Sequence, residues 1–592
     1  MKKVVDVLSA YVRNAFMQCG YGTEYGNVVI SDRLDLCEFQ CNDAMVVAKK
    51  IGINPIEIAQ RVVEKLHVED IFETIEAVRP GYINITIDSK WVTSNVNIML
   101  NDTERLGCEH VEQKIKYFID YGGANIAKPL HVGHLRPAII GESIKRILKF
   151  VGYDVISDVH LGDWGLQMGL VIEELRYRKP ELPYFDENFC DDYPVEPPFT
   201  IDELEDLYPI ASQKSKEDIK FMDAARRNTY ELQNGNKAMV ALWKHIINVS
   251  KVDLEKNYES LGVSFDLWQG ESDAQPYIDD MVNDMISKGI AYKSQGAYVV
   301  DVKEENDKKE IPPCLIRKSD GASLYATYDL ATLVGRESEY QPNKYIYVVD
   351  KRQELYFTQV FRVAKKANIV KTGTELIFIG FGTMNGKDGK PFKTRSGGVM
   401  RLEHLLDDVI TVSKNKLETR DTLSAEEAND VARKIALAAL KYGDLSNIFS
   451  KDYIFDVEKF TSFEGNTGPY LLYSIVRINS LLGRYEKASL RSIHDLRGGI
   501  IQPKSKTEKE LMIKLLQFND AVMQSATLYS PSKLCQYLMS LANLFNKFYH
   551  ETNILKVSDD EIKISYICLI HLVKLVLECG ISLLGFEAPM KM

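Results

Sequence analysis

The chain has 592 residues, of which 45% are hydrophobic and 27% charged, with a formal net charge of −11. This length predicts several domains, since a single domain usually spans roughly 100–200 residues. The net negative charge argues against a general polyanion-binding protein, and Asp6 and Arg13 interrupt any apolar leader that a signal peptide would need.

Charge and cysteine content narrow the class of protein further. From Val431 onward there are 20 basic against 16 acidic residues, so the last third is mildly basic and a localised nucleic-acid surface is permitted. A solvated face explains that surplus equally well. Nine cysteines without a Cys-x-x-Cys pair predict neither a disulfide framework nor a structural metal. We expect a cytoplasmic protein.

The first 108 residues form one predicted unit. Apolar spacing predicts helices near 5–16, 42–51 and 56–66, and a Pro-Gly turn at 80–81 precedes a strand with alternating residues. Tyr82 and Asn84 share one face of that strand by parity. Such a pair could stack on and hydrogen-bond to an unpaired base, although an ordinary exposed strand face fits as well.

A strand, loop and helix occupy residues 116–150. Lys116–Asp120 is the predicted strand, and residues 135–150 have helical apolar spacing. His131 and His134 fall where the loop becomes helix, so we expect both imidazoles on one face beside unpaired backbone N–H groups, a favourable place for phosphates. Gly133 removes a Cβ that would obstruct a nucleotide. Two surface histidines or a partial metal site remain as alternatives.

Residues 155–159 predict a second strand, followed by a loop at 160–169 and another helix. Strand, helix, strand and helix in this order predict a parallel sheet, with ligands bound at the carboxyl ends of its strands. Both loops, 121–134 and 160–169, should therefore lie at that edge. Residues 180–261 predict a helical insertion that begins with a Pro-rich acidic stretch.

The sheet is expected to resume with residues 296–301 and 314–317, and to continue with strands at 345–349 and 376–379. Between them, Tyr325 and Asp329 are four residues apart and would share a helical face. The Gly-rich loop 380–398 carries four basic residues and suits a mobile lid over a polyphosphate. An ordinary hairpin turn is the alternative.

From Leu402 the pattern is nearly all helical. Predicted helices cover 431–445, 467–482, 509–527, 531–550 and 562–584. The last of these contains His571, Lys574 and Glu578, which favours a buried helix over a membrane span. Tyr470 and Arg477 lie near a Gly-Pro break, where they could contact splayed bases.

Taken together, the motifs resemble those of class I aminoacyl-tRNA synthetases, and specifically the arginyl-tRNA synthetase family. His131-Val-Gly-His134 matches the class signature, and residues 125–136 match its arginine-type form. Three further motifs follow in the family's order: His160-x-Gly-Asp-Trp-Gly165, Lys393-Thr-Arg-Ser-Gly397 and Phe463-Glu-Gly-Asn-Thr-Gly-Pro-Tyr470. The resemblance covers nearly the whole chain.

The resemblance implies a reaction in which arginine and ATP give arginyl-adenylate, and the tRNA terminal ribose then takes the arginyl group. ATP is thus a substrate, Mg²⁺ is expected with it although no protein ligand is identifiable, and the family implies activity only when tRNA is present. The implied catalytic residues are His131, His134, Lys128, Lys393 and Arg395. The implied ATP contacts are Ala124, Asn125, Ile126, Ala127, Lys128, Pro129, Leu130, His131, Val132, Gly133, His134, Thr383, Met384, Lys393, Thr394, Arg395 and Ser396.

For arginine, the matching positions are Asp120, Asn125, Tyr325, Asp329 and Gln353. Two carboxylates around one guanidinium favour bidentate pairing that lysine does not reproduce. Asn125 and Gln353 are expected at the amino end of the substrate. The chain departs from the family at Gly122-Gly-Ala124, where Ser-x-Pro or Ser-Ser-Pro is usual, and the lost hydroxyl predicts weaker arginine binding.

The resemblance also implies the tRNA contacts and the fold. Tyr82 and Asn84 match positions that meet the D-loop, and Tyr470 and Arg477 lie in the domain that holds the anticodon stem and loop. We expect an α/β fold with three domains. These are an N-terminal α+β domain (1–108), a Rossmann-like parallel-sheet catalytic domain (109–410, with the insertion at about 180–261) and an all-α C-terminal anticodon-binding domain (411–592).

The expected partners are tRNA for arginine, L-arginine and ATP, with no membrane and a monomeric chain. Alternatives are another nucleotidyl transferase with the same His-x-Gly-His signature, a synthetase for cysteine or glutamate, and a catalytically impaired synthetase-like protein that only binds tRNA. Arginine-dependent ATP–pyrophosphate exchange separates these classes.

Overall fold

The computed structural model describes residues 2–33, 35–66, 70–319, 321–392, 400–417, 424–493 and 498–592. The chain forms two compact units. The first unit contains Met1–Val111, Thr422–Ala438 and Ser462–Met592. The second contains Glu112–Asp421 and Ala439–Thr461.

The N-terminal part of the first unit is an antiparallel sheet with helices. Its helices are α1 (Val4–Gln18), α2 (Asp43–Ile51), α3 (Pro55–Lys65) and α4 (Ser89–Asn101), and its strands are β1 (Val28–Ile30), β2 (Phe39–Cys41), β3 (Phe72–Val78) and β4 (Tyr82–Ile87), in the order β1-β2-β4-β3. Along β4, Ile83, Ile85 and Ile87 are buried while Tyr82 and Asn84 lie on the partly exposed face, as their parity predicts. β1 and β2 were not predicted, because three residues are too few to show an alternation.

The rest of the first unit is helical. Its helices are α14 (Ala425–Leu445, which continues into the second unit), α16 (Gly468–Ser489), α17 (Lys506–Leu516), α18 (Phe518–Thr527), α19 (Pro531–Glu551) and α20 (Asp560–Leu583). The single helix predicted at 509–527 is wrong: the chain ends α17 and begins α18 at Gln517. Both helices bury apolar residues, so the sequence pattern continues across the break.

Helix α20 is long and apolar enough to cross a membrane by length and composition alone. However, 67% of its most apolar stretch is buried inside the protein. It packs against α16 and α19 of the same unit. This is the buried helix that its interior charged residues predict.

The second unit contains the predicted parallel sheet. Its strands are β5 (Lys116–Asp120), β6 (Asp154–Asp158), β10 (Lys344–Asp350) and β11 (Glu375–Phe381), in the order β11-β10-β5-β6. Its helices outside the insertion include α5 (Leu135–Val151), α6 (Leu166–Arg178), α11 (Tyr325–Glu339), α12 (Glu354–Lys366), α13 (Leu402–Leu417) and the short α15 (Val457–Phe460). The register sets Asp120 opposite Asp158, so two carboxylates meet at the carboxyl edge of the sheet.

The insertion and a small second sheet follow α6. The insertion contains α7 (Ile201–Glu217), α8 (Ile219–Gln233) and α9 (Lys237–Ser260), and α10 (Glu271–Ser287) follows it. The strands are β7 (Tyr292–Ser294), β8 (Ala297–Val300) and β9 (Cys314–Arg317). They form their own antiparallel sheet, so the prediction that 296–301 and 314–317 resume the parallel sheet is wrong. The cause is the tight turn at Gln295-Gly296, where both residues have positive φ and the chain folds back as a hairpin.

One more pair of strands interrupts the helical C-terminal third. β12 (Met384–Asn385) pairs in parallel with β13 (Tyr453–Ile454). The nearly all-helical pattern predicted after Leu402 therefore has an exception at β13. Two-residue strands have no periodicity of their own, and only pairing with a distant segment defines them.

Candidate active site

The signature turn brings His131 and His134 side by side, as predicted. Val132–His134 forms a 3₁₀ turn that leads directly into α5. The ring centroids of the two histidines are 3.9 Å apart. Two imidazoles on adjacent positions can therefore contact one ligand.

The expectation of unpaired backbone N–H groups at this turn is wrong. The N–H of His131 donates to His134 Nδ1 at 3.0 Å, and the N–H of Gly133 donates to His131 Nδ1 at 3.0 Å. The N–H groups of Val132 and His134 bond to the carbonyls of Met400 and His131. The turn therefore offers a ligand its imidazoles rather than its backbone.

Burial keeps both rings neutral, and these backbone bonds decide which ring nitrogen carries the proton. Burial lowers the pKa of His131 and lowers the pKa of His134 to about 3, so both rings are neutral near pH 7. Because each Nδ1 accepts a backbone N–H, each neutral ring must carry its proton on Nε2. The pair thus presents two Nε2–H donors, suited to phosphate oxygens.

Gly133 is required for a reason that the sequence did not indicate. A Cβ at this position would lie 2.8 Å from His131 Cε1 and 2.9 Å from Nδ1. The glycine therefore makes room for the His131 ring that accepts its N–H.

The two loops predicted at the sheet edge do meet. The N–H of Ile126 donates to the carbonyl of Gly162, and the N–H of Gly162 donates to the carbonyl of Ala124, both at 3.2 Å. Asn125 pairs with Gly162 as an isolated parallel bridge. A Cβ at 162 would overlap the Asn125 side chain, so Gly162 permits the close approach.

Asp120 has an internal cation as its partner. Arg336 from α11 bonds to Asp120 Oδ2 at 2.8 Å and to Asp158 Oδ2 at 2.6 Å. Its guanidinium also lies 4.4 Å from the centre of the Phe118 ring. Asp120, Asp158 and His160 have potential metal-ligand atoms within 4.8 Å of one another. Because the Arg336 guanidinium already bonds to both carboxylates, a magnesium ion bound to them would lie against its positive charge, and this donor set does not fit magnesium.

A second group of carboxylates has no such cation. Burial raises the pKa of Asp329 to about 6, and burial together with Asp163 and Asp329 raises the pKa of Glu271 to about 7. Burial likewise raises the pKa of Asp163 to about 6. Among the described residues, no lysine or arginine forms an ion pair with Asp329 or Glu271. Buried carboxylates that have hydrogen-bond donors but no cationic ion-pair partner favour a cationic ligand.

The positions predicted to bind the substrate arginine differ in their contacts and in their exposure. Asp329 accepts a short hydrogen bond from the Tyr356 hydroxyl of α12. Tyr325 lies one turn before Asp329 on α11, but its side chain is 75% exposed. Gln353 closes the 3₁₀ turn that follows β10 and is exposed at the same edge of the sheet.

The predicted ATP residues lie around the signature turn and β12. Ala124, Ile126, Ala127, Leu130 and Val132 are buried, and the Lys128 ammonium lies 4.3 Å from the centre of the Tyr208 ring. Met384 is buried in β12, and the N–H of Thr383 donates to Asp452 Oδ1 at 2.7 Å. Lys393, Thr394, Arg395 and Ser396 lie outside the described residues, as do all lid residues from 393 onward.

The chain beyond the lid segment returns to the signature turn. Met400 accepts the N–H of Val132 at 3.0 Å, and the N–H of Leu402 donates to Leu130 at 2.9 Å. Residues 400–402 therefore lie next to the signature turn, where Arg401 pairs with His131 as an isolated bridge.

The predicted tRNA residues lie in the first unit. Gln40 donates to Asn84 Oδ1 at 2.9 Å across the β2–β4 pair, beside Tyr82. On the helical side, the Tyr470 hydroxyl donates to Asn543 and accepts from Asn546. Arg477 lies over the rings of Tyr473 and Tyr549, at 4.7 and 4.9 Å from their centres.

Sequence reasoning missed Arg336, Asp158 and Glu271. Asp158 is the penultimate residue of the predicted strand 155–159, as Asp120 is the last residue of the predicted strand 116–120, and these similar positions were an available signal. Glu271 begins a helix directly after Gly270, which pairs with Leu161 beside the second loop. Arg336 carried no signal, because nothing in α11 indicates which of its residues faces the sheet.

Three family models match the chain. They are described as the catalytic domain of class I (R) tRNA synthetases, over residues 95–457, the DALR anticodon binding domain, over 471–592, and the arginyl tRNA synthetase N-terminal domain, over 5–87. The catalytic model covers the signature turn, the carboxylates and β12.

Similar proteins agree with these matches. The arginine–tRNA ligases of Agathobacter rectalis and Alkaliphilus oremlandii are 54% and 52% identical to this chain, each over the full length of both proteins. The arginyl-tRNA synthetase structure from Plasmodium falciparum superposes with a TM-score of 0.82 at 25% identity, over all of both chains. The Thermus thermophilus arginyl-tRNA synthetase, at 19% identity, shares the fold with a TM-score of 0.78, also over all of both chains. This chain therefore belongs to the arginyl-tRNA synthetase family of class I tRNA synthetases.

Proposed function

We propose that this chain joins L-arginine to its tRNA. Arginine and ATP form arginyl-adenylate and pyrophosphate, and the terminal ribose of the tRNA then takes the arginyl group and releases AMP. The observation that carries this proposal is that one unit contains two kinds of group. These are neutral imidazoles, which suit phosphates, and buried carboxylates without a cationic partner among the described residues, which suit a guanidinium.

The guanidinium is assigned to Asp329 and Glu271. Both carboxylates have raised pKa values and lack an ion-pair partner among the described residues, so a bound cation would relieve their repulsion. Asp120 does not contact the substrate guanidinium directly, because its carboxylate already forms an ion pair with Arg336. It contributes to the site through Arg336. Tyr325, Asn125 and Gln353 complete the arginine site, the last two at the amino end of the substrate.

ATP is assigned to the signature turn and to the segments beside it. His131 and His134 donate from Nε2 to phosphate oxygens, Lys128 supplies positive charge, and residues 124–134 with Thr383 and Met384 enclose the nucleotide. Lys393, Thr394, Arg395 and Ser396 lie outside the described residues and are assigned to the phosphates by the family resemblance. Mg²⁺ accompanies ATP and takes no ligand from the described residues.

The chemistry is positioning together with electrostatic stabilisation. The carboxylate of arginine attacks the α-phosphorus in line with the leaving pyrophosphate, and negative charge grows on phosphate oxygens. Neutral N–H donors held rigidly at that place stabilise the developing charge without reorganising. The packed turn around His131 and His134 supplies that rigidity.

The tRNA is assigned to the first unit. Tyr82 and Asn84 are assigned to the D-loop, and Tyr470 and Arg477 to the anticodon region. Arg477 lies within the match to the anticodon binding domain at 471–592, and Tyr470 directly precedes it. We divide the chain into domains at 1–108, 109–410 and 411–592. We also propose a cytoplasmic monomer that needs no membrane.

ATP–pyrophosphate exchange tests this proposal directly. We expect exchange with arginine when tRNA is present and none without it. Ornithine and citrulline should be rejected by about 10⁴-fold, because each would leave a buried carboxylate unpaired. Exchange supported better by another amino acid would refute the assignment, and tRNA binding without any exchange would favour the binding-only alternative.

A further inference from the structure

Arg136 is a deeply buried charged side chain near the signature turn. It lies two residues after His134 on α5 and is 1% exposed. Its Nε donates to Asp444 Oδ2 at 2.8 Å, and Asp444, on α14, is itself 1% exposed. The hydroxyl of Tyr453 donates to the same carboxylate oxygen at 2.9 Å.

The same guanidinium holds two further chain segments. Its Nη1 donates to the carbonyl of Gly382 at 2.6 Å and to the carbonyl of Lys451 at 3.2 Å. Gly382 immediately precedes Thr383 and Met384. The Arg136 side chain therefore connects α5 to the residues just before β12, to the segment before β13 and to the last turn of α14.

The segment around Gly382 is closely packed against the chain near Asp452. The N–H of Gly382 donates to the carbonyl of Phe449 at 2.8 Å, and a Cβ at 382 would lie 2.6 Å from the carbonyl carbon of Lys451. Lys351 bonds to Asp452 Oδ1, the oxygen that also accepts the N–H of Thr383. Movement of the Lys451 carbonyl would thus move Thr383.

We propose that Arg136 is a positioning residue for ATP. Through its bonds to Gly382, Lys451 and Asp444 it fixes Thr383 and Met384 relative to the imidazoles of His131 and His134. Arginine suits this role because its planar fork serves three acceptors in fixed directions, whereas a lysine ammonium at the same place would not reach all of them. The inference rests on the proposed ATP contacts and concerns how they are held.

The test compares Michaelis constants for ATP and arginine in the full chain, measured by ATP–pyrophosphate exchange with tRNA present. Arg136→Lys and Asp444→Asn should raise the KM for ATP by about tenfold, since misplacement by about 1 Å costs up to about 10² in rate. The KM for arginine should stay within about twofold. The control is Glu174→Gln, which removes the same charge from a carboxylate that is also 1% exposed and that pairs with Arg178 and Lys214 on the insertion side.

A further variant distinguishes loss of positioning from misfolding caused by an unpaired buried charge. Replacing both partners, Arg136→Met with Asp444→Leu, removes the buried charges together and so avoids an uncompensated ion. This double variant should still show the raised KM for ATP, because the bonds to Gly382 and Lys451 are lost. The inference is overturned if the KM for ATP is unchanged in all these variants, if the KM for arginine rises equally, or if Glu174→Gln has the same effect. Absence of exchange in the unaltered protein would instead refute the proposed function.

Discussion

At the scale of single residues, the chemistry of the site depends on which side chains carry charge. His131 and His134 are neutral donors, whereas burial disfavours the charged form of Asp329 and Glu271 and raises their pKa values to about 6 and about 7. Asp120 and Asp158 differ from that second pair because Arg336 lies between them. The two groups of carboxylates in this unit therefore differ in their environment. Arg336 joins one pair at the sheet edge, and we propose that the other pair binds the cationic substrate.

Substitution of His134 tests the role of the Nε2 donors. His134→Ala should lower the exchange rate by about 10²–10³-fold, as loss of one preorganised donor does. His134→Gln should retain more activity, because its amide N–H reaches about as far as Nε2. Thermal unfolding of both variants serves as the control. Equal rates for the two variants at equal stability would contradict the donor role.

The pH dependence of arginine binding tests the carboxylates. A pKa of about 6 for Asp329 and about 7 for Glu271 means that protons compete with the guanidinium as the pH falls through this range. Lowering the pH from about 8 to about 5.5 should therefore raise the KM for arginine, and bound arginine should lower both pKa values. Asp329→Asn should raise that KM at high pH and flatten its pH profile. A profile that is flat in the unaltered protein would rule out this pairing.

At the scale of elements, the loop between β5 and α5 carries the departure from the family pattern. Gly122 and Gly123 have φ values of 100° and 63°, in the region that favours glycine. A Cβ at Gly122 would lie 3.0 Å from the Tyr258 hydroxyl, while a Cβ at Gly123 would meet nothing within 4 Å. The loop therefore has room for a side chain at 123 but a backbone that disfavours one.

Placing the family's serine at position 123 separates the effect of the hydroxyl on arginine binding from the effect of the backbone conformation on stability. Gly123→Ser and Gly123→Ala should each lower the free energy of unfolding by about 1–2 kcal/mol, because both place a Cβ in the left-handed region. Only Gly123→Ser adds a hydroxyl, so its KM for arginine should be lower than that of Gly123→Ala. Chemical denaturation and exchange kinetics measure the two quantities. Equal KM values for the two variants would argue against a lost hydroxyl contact.

At the scale of the whole molecule, the two compact units carry different parts of the proposed reaction. The imidazoles, carboxylates and β12 belong to the second unit, and the proposed tRNA contacts belong to the first. Substitutions in the first unit should therefore affect tRNA and leave the small substrates alone.

Tyr82 offers a matched pair of substitutions for that expectation. Tyr82→Ala should raise the KM for tRNA by about 5–150-fold, since stacking on one base contributes about 1–3 kcal/mol. Tyr82→Phe keeps the ring and should stay close to the unaltered protein. KM values for ATP and arginine should not change in either variant. An equal effect of both substitutions would show that the hydroxyl, and not stacking, makes the contact.

The sequence by itself determined the family, the parallel sheet and the adjacency of His131 and His134. Each of these depends on local order: periodicity marks β5, β6 and α5, and the signature turn connects neighbours along the chain. The alternation in β4 likewise predicted the face shared by Tyr82 and Asn84. Such features can be predicted from the sequence because the residues that define each of them are at most a few positions apart.

Only the tertiary structure decided how distant groups are paired. Arg336 bonds to Asp120 and Asp158, which are more than 170 residues away along the chain. The carbonyl of Met400 accepts the backbone N–H of Val132, which the sequence predicted to be unpaired. The hairpin at Gln295-Gly296 also moved β8 and β9 out of the parallel sheet. No local pattern contains these pairings, because burial, hydrogen bonding and charge neutralisation act between side chains that meet only after the chain has folded.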